Sequence, residues 1–139
     1  MNYQRFKDHV VFRVDPGEEL VEQIQKLCTK LDITSGTITG IGATNDVTVG
    51  VYEVNAKKYH SKTFTGDHEI TNISGNITRM NDETYIHLHI TLGNMNNEVI
   101  GGHLNKARIS ATFEGVITPV KGTIHRRHDS EVGLNLLDI

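Results

Sequence analysis

Cysteine is nearly absent from this sequence of 139 residues, which contains one cysteine, two prolines and no tryptophan. The single cysteine, Cys28, excludes a disulfide within the chain and gives no indication of secretion. Long apolar runs are missing as well, because the first residues hold no signal-peptide core and no segment approaches the length that spans a membrane. These absences lead us to expect a cytoplasmic protein that makes no contact with a membrane.

An excess of charge of either sign is also missing. The chain has 14 Lys+Arg and 17 Asp+Glu residues, for a formal net charge of −3. Proteins that bind DNA through its phosphates usually carry a basic face, because neutralised phosphates release counterions. Apart from the pairs Lys57-Lys58 and Arg126-Arg127, the basic residues are dispersed. The charge pattern therefore disfavours autonomous DNA binding.

One segment, DPGEELVEQIQKLCTKLD (residues 15–32), has the pattern of a helix. We expect Asp15 to cap its N-terminus and Pro16 to take the first helical position. Its apolar residues recur at helical spacing and form one stripe: Leu20, Val21, Ile24, Leu27, Cys28 and Leu31. Such a helix is expected to cover a sheet, with Cys28 buried as a small apolar side chain.

The remaining sequence is typical of strands. A short strand is expected at His9 to Val14, and six further strand-like segments are separated by Gly, Asn and Asp: SGTITGIGA, DVTVGVYEV, DHEITNISGNIT, ETYIHLHITL, NEVIGGHL and ARISATFEGVIT. The predicted fold class is α+β, with a mainly antiparallel sheet of about seven strands and one main helix packed on it. No linker or repeat divides the chain, so we expect a single domain over residues 1–139.

Three histidines stand out in YIHLHITLGNMNNEVIGGHL, residues 85–104. Residues two apart on a strand share a face, so His87 and His89 should point the same way with Cβ atoms roughly 6.5–7 Å apart. A hairpin centred near Asn96 would place His103 opposite His89, whereas a shift of one residue would turn it to the other face.

Three neutral imidazoles with an open fourth position are typical of a catalytic zinc site, although imidazole also binds iron, nickel and copper. A pair of solvated strand histidines is the simpler alternative. The glycines before His103, Gly101 and Gly102, would form a bulge that re-aims it or would allow a backbone or ligand to come close.

Four blocks of the sequence, GIGATNDVTVGVYEV, GDHEITNISGNIT, HLHITLGNMNNEVIGGHL and RRHDSEVGLNLL, resemble the plants-and-prokaryotes conserved (PPC) domain. The resemblance extends from about His9 to Leu137. It implies a compact α+β domain that assembles as a homotrimer and is related in fold to acetolactate decarboxylase. Members of that wider group hold zinc on three histidines, which correspond here to His87, His89 and His103.

The resemblance has limits. In land plants the domain follows an AT-hook, an Arg-Gly-Arg-Pro element that enters the minor groove, and this chain contains none. The DNA-binding role of those proteins therefore does not transfer. The block near Gly66 also departs from the family pattern, since it has the sequence GDHEITNI. Partner surfaces and trimer contacts that the family places in this block therefore do not transfer directly.

Two further residues are candidates for catalysis. We expect Glu114 on a strand that neighbours the histidines, where a carboxylate would take the proton of a metal-bound water. An exposed strand glutamate is the alternative. Arg127, with Asp129, matches the Arg-x-Asp ending of the family and would bind a substrate carboxylate through two N–H groups. A structural ion pair that holds the tail is the alternative for Arg127.

Two functions follow from these observations. The first is a metal-dependent enzyme that acts on a small carboxylic acid or ester. The second is a trimeric module that binds DNA or another regulator without catalysis.

Overall fold

The computed structural model describes all residues from Met1 to Ile139. Its elements, in chain order, are β1 (Asn2–Arg5), β2 (Val10–Val14), α1 (Leu20–Leu31), β3 (Gly36–Glu53), β4 (Lys58–Met80), β5 (Glu83–Asn94), β6 (Val99–Pro119), β7 (His125–Asp129) and β8 (Leu134–Asp138). The eight strands form one sheet in the order β1-β2-β6-β3-β4-β7-β8, and β5 pairs with both β4 and β6. Strands β3, β4, β5 and β6 therefore close a ring of antiparallel pairings.

The sheet is mainly antiparallel, as predicted, and carries one short helix. It is formally mixed, because β7 pairs with β4 in parallel through the residues Arg79 and His125. The fold is thus mainly β, and the predicted count of about seven strands was one too low. The short strands β1, β7 and β8 were not expected.

Several predicted strands join into longer ones. The segments before and after Asn45 form the single strand β3, with a register shift between Thr44 and Asp46. The segments on either side of Asn105 form the single strand β6, with a shift opposite Thr48 and Val49. A bulge bends a strand without ending it, so polar residues that resemble turns in the sequence mark bends here.

Helix α1 begins later than predicted. Glu19, not Asp15, is the N-cap, and its carboxylate accepts hydrogen bonds from the N–H groups of Val21 and Glu22. The chain turns at Gly17, which has a φ of +85° and donates its N–H to Ile109 on β6. Because that turn ties the chain to the sheet, Pro16 lies outside the helix.

The core contains 22 buried apolar residues in one cluster. Helix α1 contributes Leu20, Ile24, Leu27 and Cys28, which confirms the predicted stripe. Burial raises the pKa of the Cys28 thiol to about 12, so this cysteine stays protonated and acts as a packing residue. The helix has 12 residues, and no helix in the structure is long and apolar enough to cross a membrane.

Strand β5 follows the predicted alternation. Leu88, Ile90 and Leu92 are buried in the core, while His87 and His89 lie on the opposite face. Because of this alternation, the two imidazoles point away from the core and toward a cavity on the opposite face of the sheet.

Candidate metal centre

The hairpin between β5 and β6 sets the position of the third histidine. His89 is paired with His103, and Gly93 with Val99, so the turn is centred at Asn96 as predicted. The side-chain oxygen of Asn94 accepts hydrogen bonds from the N–H groups of Asn96 and Glu98, which fixes this turn. All three imidazoles therefore reach the same face of the sheet.

Gly101 and Gly102 allow neighbouring strands to come close to β6. They do not form a bulge, because the β5–β6 pairing is regular across both. A Cβ atom on Gly101 would lie 2.5 Å from the carbonyl oxygen of Ile90, and one on Gly102 would lie 2.7 Å from that of Gly50. On β4, a Cβ on Gly75 would lie only 1.9 Å from the carbonyl oxygen of His87. Glycine at these positions lets the strands that carry the histidines pack closely.

The three imidazoles converge on one point. The Nε2 atoms of His87 and His89 are 3.3 Å apart. One ring nitrogen from each of His87, His89 and His103 lies within 4.8 Å of the others. Two nitrogens bound to one zinc ion at 2.0–2.1 Å and a tetrahedral angle would be roughly 3.3–3.4 Å apart. The spacing of His87 and His89 therefore fits a tetrahedral ion, and His103 lies near enough to be its third protein ligand.

Burial, with nearby positive charge, keeps the rings of His87 and His103 neutral. Burial is the main cause that lowers the pKa of His87 to about 4, and positive charge on His103, Arg126 and His89 lowers it further. Burial, followed by the charge of His89, also lowers the pKa of His103. Metal ligation requires the unprotonated imidazole, so both rings have the required form at neutral pH.

Arg126 is the residue at this site that the sequence did not reveal. It is 9% exposed, and its Nε donates to the Thr78 hydroxyl at 2.9 Å. Its Nη1 donates to the carbonyl oxygen of Asn135 at 2.6 Å, and its Nη2 to Oδ1 of Asn76 at 2.7 Å. Nη2 also lies 3.5 Å from Nδ1 of His87. The guanidinium is thus anchored from three strands beside the first histidine.

Neither of the predicted catalytic residues joins the histidines. Arg127 points outward with 66% of its side chain exposed, and it forms an ion pair with Asp138 at 3.0 Å, so the structure has the tail ion pair that was its alternative. Glu114 is an exposed residue of β6, paired with Arg13 and Ile41, and it lines none of the cavity that contains the histidines. Their proposed catalytic roles remain predictions without support from this geometry.

The histidines open into a cavity of about 870 Å³. Its lining combines polar and apolar side chains. Besides the three histidines it includes three asparagines, one arginine and three leucines of the tail: Asn76, Asn105, Asn135, Arg126, Leu134, Leu136 and Leu137. Tyr52, Tyr59 and Tyr85 also line it. No aspartate or glutamate is among the lining residues.

These features define a class of protein: a small, mainly β domain in which one hairpin directs three imidazoles into a single cavity. The identity of the family follows from comparison. Residues 1–121 match the Plants and Prokaryotes Conserved (PCC) domain, the family also abbreviated PPC. The chain belongs to this family, and the resemblance seen in its sequence blocks is confirmed. No curated protein matches the chain at a significant level.

Solved structures agree with this assignment. A Bacteroides thetaiotaomicron protein, described provisionally as DNA-binding, is 33% identical, with a TM-score of 0.96 over 99% of this chain and 96% of that one. A metal-containing protein of Archaeoglobus fulgidus is 30% identical, with a TM-score of 0.86 over 98% of each chain. Acetolactate decarboxylase of Bacillus subtilis is 17% identical, with a TM-score of 0.59 over 91% of this chain and 59% of that one. The predicted relation in fold to acetolactate decarboxylase is confirmed.

Proposed function

We propose that this protein binds a divalent metal ion, with zinc as the first choice, through His87, His89 and His103. The observation that carries the proposal is the convergence of one nitrogen from each ring within 4.8 Å. Three imidazoles without cysteine, and with one free position, are typical of zinc sites that perform chemistry. The metal content of the Archaeoglobus fulgidus relative, at 30% identity, supports the same assignment.

We further propose that the site is catalytic and acts on a small carboxylic acid or ester. A bound divalent ion would supply Lewis acidity there, by polarising a carbonyl group or lowering the pKa of a water molecule. The residues of the chain would bind and orient the substrate. Arg126 would donate a hydrogen bond to it beside His87, and the tyrosine and leucine side chains of the lining would contact its apolar part.

The metal content of untagged protein, purified without chelator, tests the first proposal. We expect close to one metal ion per chain by elemental mass spectrometry, and a His87→Gln variant should lose it. His60→Gln is the matched control, because His60 is exposed and pairs with Glu53 away from the cavity. Negligible metal in the wild type, or equal metal in the His87→Gln variant, would contradict the proposal.

DNA binding is the second candidate function, and the description of the Bacteroides thetaiotaomicron relative favours it. The net charge of −3 weighs against it. An electrophoretic mobility shift at moderate salt separates the two functions. We expect no tight binding, and tight, salt-sensitive binding would favour the DNA-binding module over the enzyme.

Assembly as a homotrimer, in the cytoplasm, completes the proposal. Several large apolar residues are exposed on the single chain, among them Ile41 at 58%, Val51 at 64% and Val54 at 62%, and burial between subunits would remove them from water. Light scattering coupled to size-exclusion chromatography should give three times the mass of the 15.5 kDa chain. A monomer mass at micromolar concentration would contradict the trimer.

A further inference from the structure

We infer that the cavity beside the histidines selects a small organic carboxylate with an apolar body, and that Arg126 binds its carboxylate group. The inference deepens the proposed function, since it names the ligand class of the same site and the residue that recognises it.

The first argument is the charge balance of the cavity. Arg126 is 9% exposed, and a buried charge is costly unless an opposite charge lies nearby. Its partners are a hydroxyl, a carbonyl oxygen and a side-chain amide oxygen, all of which are neutral. No carboxylate lies within ion-pair distance of it or lines the cavity. Lys57 adds a second cation to the lining. An anionic ligand would supply the missing charge.

The second argument is preorganisation. A guanidinium has five N–H groups, and four of those of Arg126 have acceptors: oxygen atoms of Thr78, Asn76 and Asn135, and Nδ1 of His87 at 3.5 Å. One N–H group, on Nη1, therefore lacks an acceptor. The guanidinium carbon also lies over the Tyr85 ring, 4.8 Å from its centre, and this contact helps to hold the guanidinium in place. A guanidinium held in place offers a carboxylate a directed N–H group and a fixed positive charge, whereas a flexible ammonium must first be ordered.

The third argument is the mixed lining of the cavity. Leu134, Leu136 and Leu137 are 37–38% exposed and line the same cavity as Arg126. A ligand that matches both kinds of lining carries an anionic group for Arg126 and an apolar body for the leucines. A fully polar anion such as inorganic phosphate would leave the leucine side chains in water.

Benzoate and its neutral analogue benzamide are suitable probes, because they share a shape and differ in charge. Isothermal titration calorimetry at pH 7 should show that the wild-type protein binds benzoate about tenfold or more tightly than benzamide, as expected for a hydrogen bond to a charged group. Inorganic phosphate should bind more weakly than benzoate. Equal affinity for benzoate and benzamide, or tighter binding of phosphate, would overturn the inference.

Arg126→Gln and Arg127→Gln form a matched pair, since they remove the same charge from adjacent residues of β7 and only the first changes the cavity. We expect Arg126→Gln to weaken benzoate binding about tenfold or more and Arg127→Gln to change it less than about twofold. Arg126→Lys should retain part of the affinity, because it keeps the charge and loses the planar fork. Equal effects of the two glutamine variants would overturn the role of Arg126.

The wild-type comparison of benzoate with benzamide decides the ligand class even if Arg126→Gln fails to fold. The same titrations on chelator-treated protein separate this inference from the metal proposal. Binding of benzoate that depends on Arg126 in the chelator-treated protein supports the inference whether or not the metal proposal holds, and negligible metal in the untreated protein contradicts the metal proposal alone. Full metal content with no preference for benzoate contradicts the inference alone.

Discussion

The histidine hairpin (β5 and β6) and the C-terminal tail (β7 and β8) both contribute side chains to one cavity, but they do so by different physical routes. In the hairpin, strand alternation and a turn centred on Asn96 fix the positions of three imidazoles within 20 residues of sequence. In the tail, Arg126 reaches His87 only because β7, which forms a local hairpin with β8, pairs with β4 at long range. Local periodicity specifies the first arrangement, and tertiary packing specifies the second.

The largest effect that this comparison predicts is on metal affinity. His103→Gln should weaken zinc binding by more than about 100-fold, because even changes to residues behind metal ligands cost 10–100-fold. His128→Gln, in the tail, is the control, because His128 is exposed and lies outside the cavity lining. Competition against a chelating dye measures both. A similar affinity for the two variants would show that the hairpin does not form the centre.

The next effect concerns the packing that holds the hairpin together. Gly75→Ala should destabilise the fold by about 1–3 kcal/mol and lower metal affinity, because the added Cβ would overlap the carbonyl oxygen of His87. Gly93→Ala is the matched control on β5, since its Cβ would meet nothing closer than 3.8 Å. Urea unfolding measures the free energy for both variants. A Gly75→Ala variant as stable as Gly93→Ala would contradict the close approach of β4 and β5.

A smaller effect is the pH dependence of the metal-free protein. The pKa of His87 is about 4 in the folded chain and 6.5 at its ordinary value. Between these values the unfolded chain binds more protons, so the free energy of unfolding should fall as the pH drops from 6.5 toward 4. Replacing His87 with glutamine should reduce this loss. Urea midpoints at pH 7 and pH 4.5 test it, and equal losses in both proteins would contradict the shifted pKa.

The smallest effect links the two regions directly. Arg126 is one cause of the low pKa of His87, after burial and His103, so Arg126→Gln should raise that pKa while leaving it below 6.5. Arg127→Gln should leave it unchanged, because Arg127 is exposed and paired with Asp138. NMR titration of the imidazole resonances in chelator-treated protein measures both. Equal shifts in the two variants would show that the tail acts on the histidine by long-range charge alone.

The sequence therefore predicts where some residues lie in the fold and not where others lie, for physical reasons. The register of His89 with His103 follows from a period of two and a short turn, and both are local. The start of α1 does not, because the turn at Gly17 is held by Ile109, nearly 100 residues away. The sequence also does not reveal that Arg126, and not Arg127, lines the cavity, since nothing local distinguishes the two until β7 pairs and turns one of them inward.

Anomalous diffraction at the zinc absorption edge, on crystals grown without chelator, tests the central claim most directly. We expect one peak within coordination distance of ring nitrogens of His87, His89 and His103, with its remaining position open to the cavity. No peak in crystals soaked with zinc, or a peak bound by other residues, would contradict a metal centre formed by the hairpin.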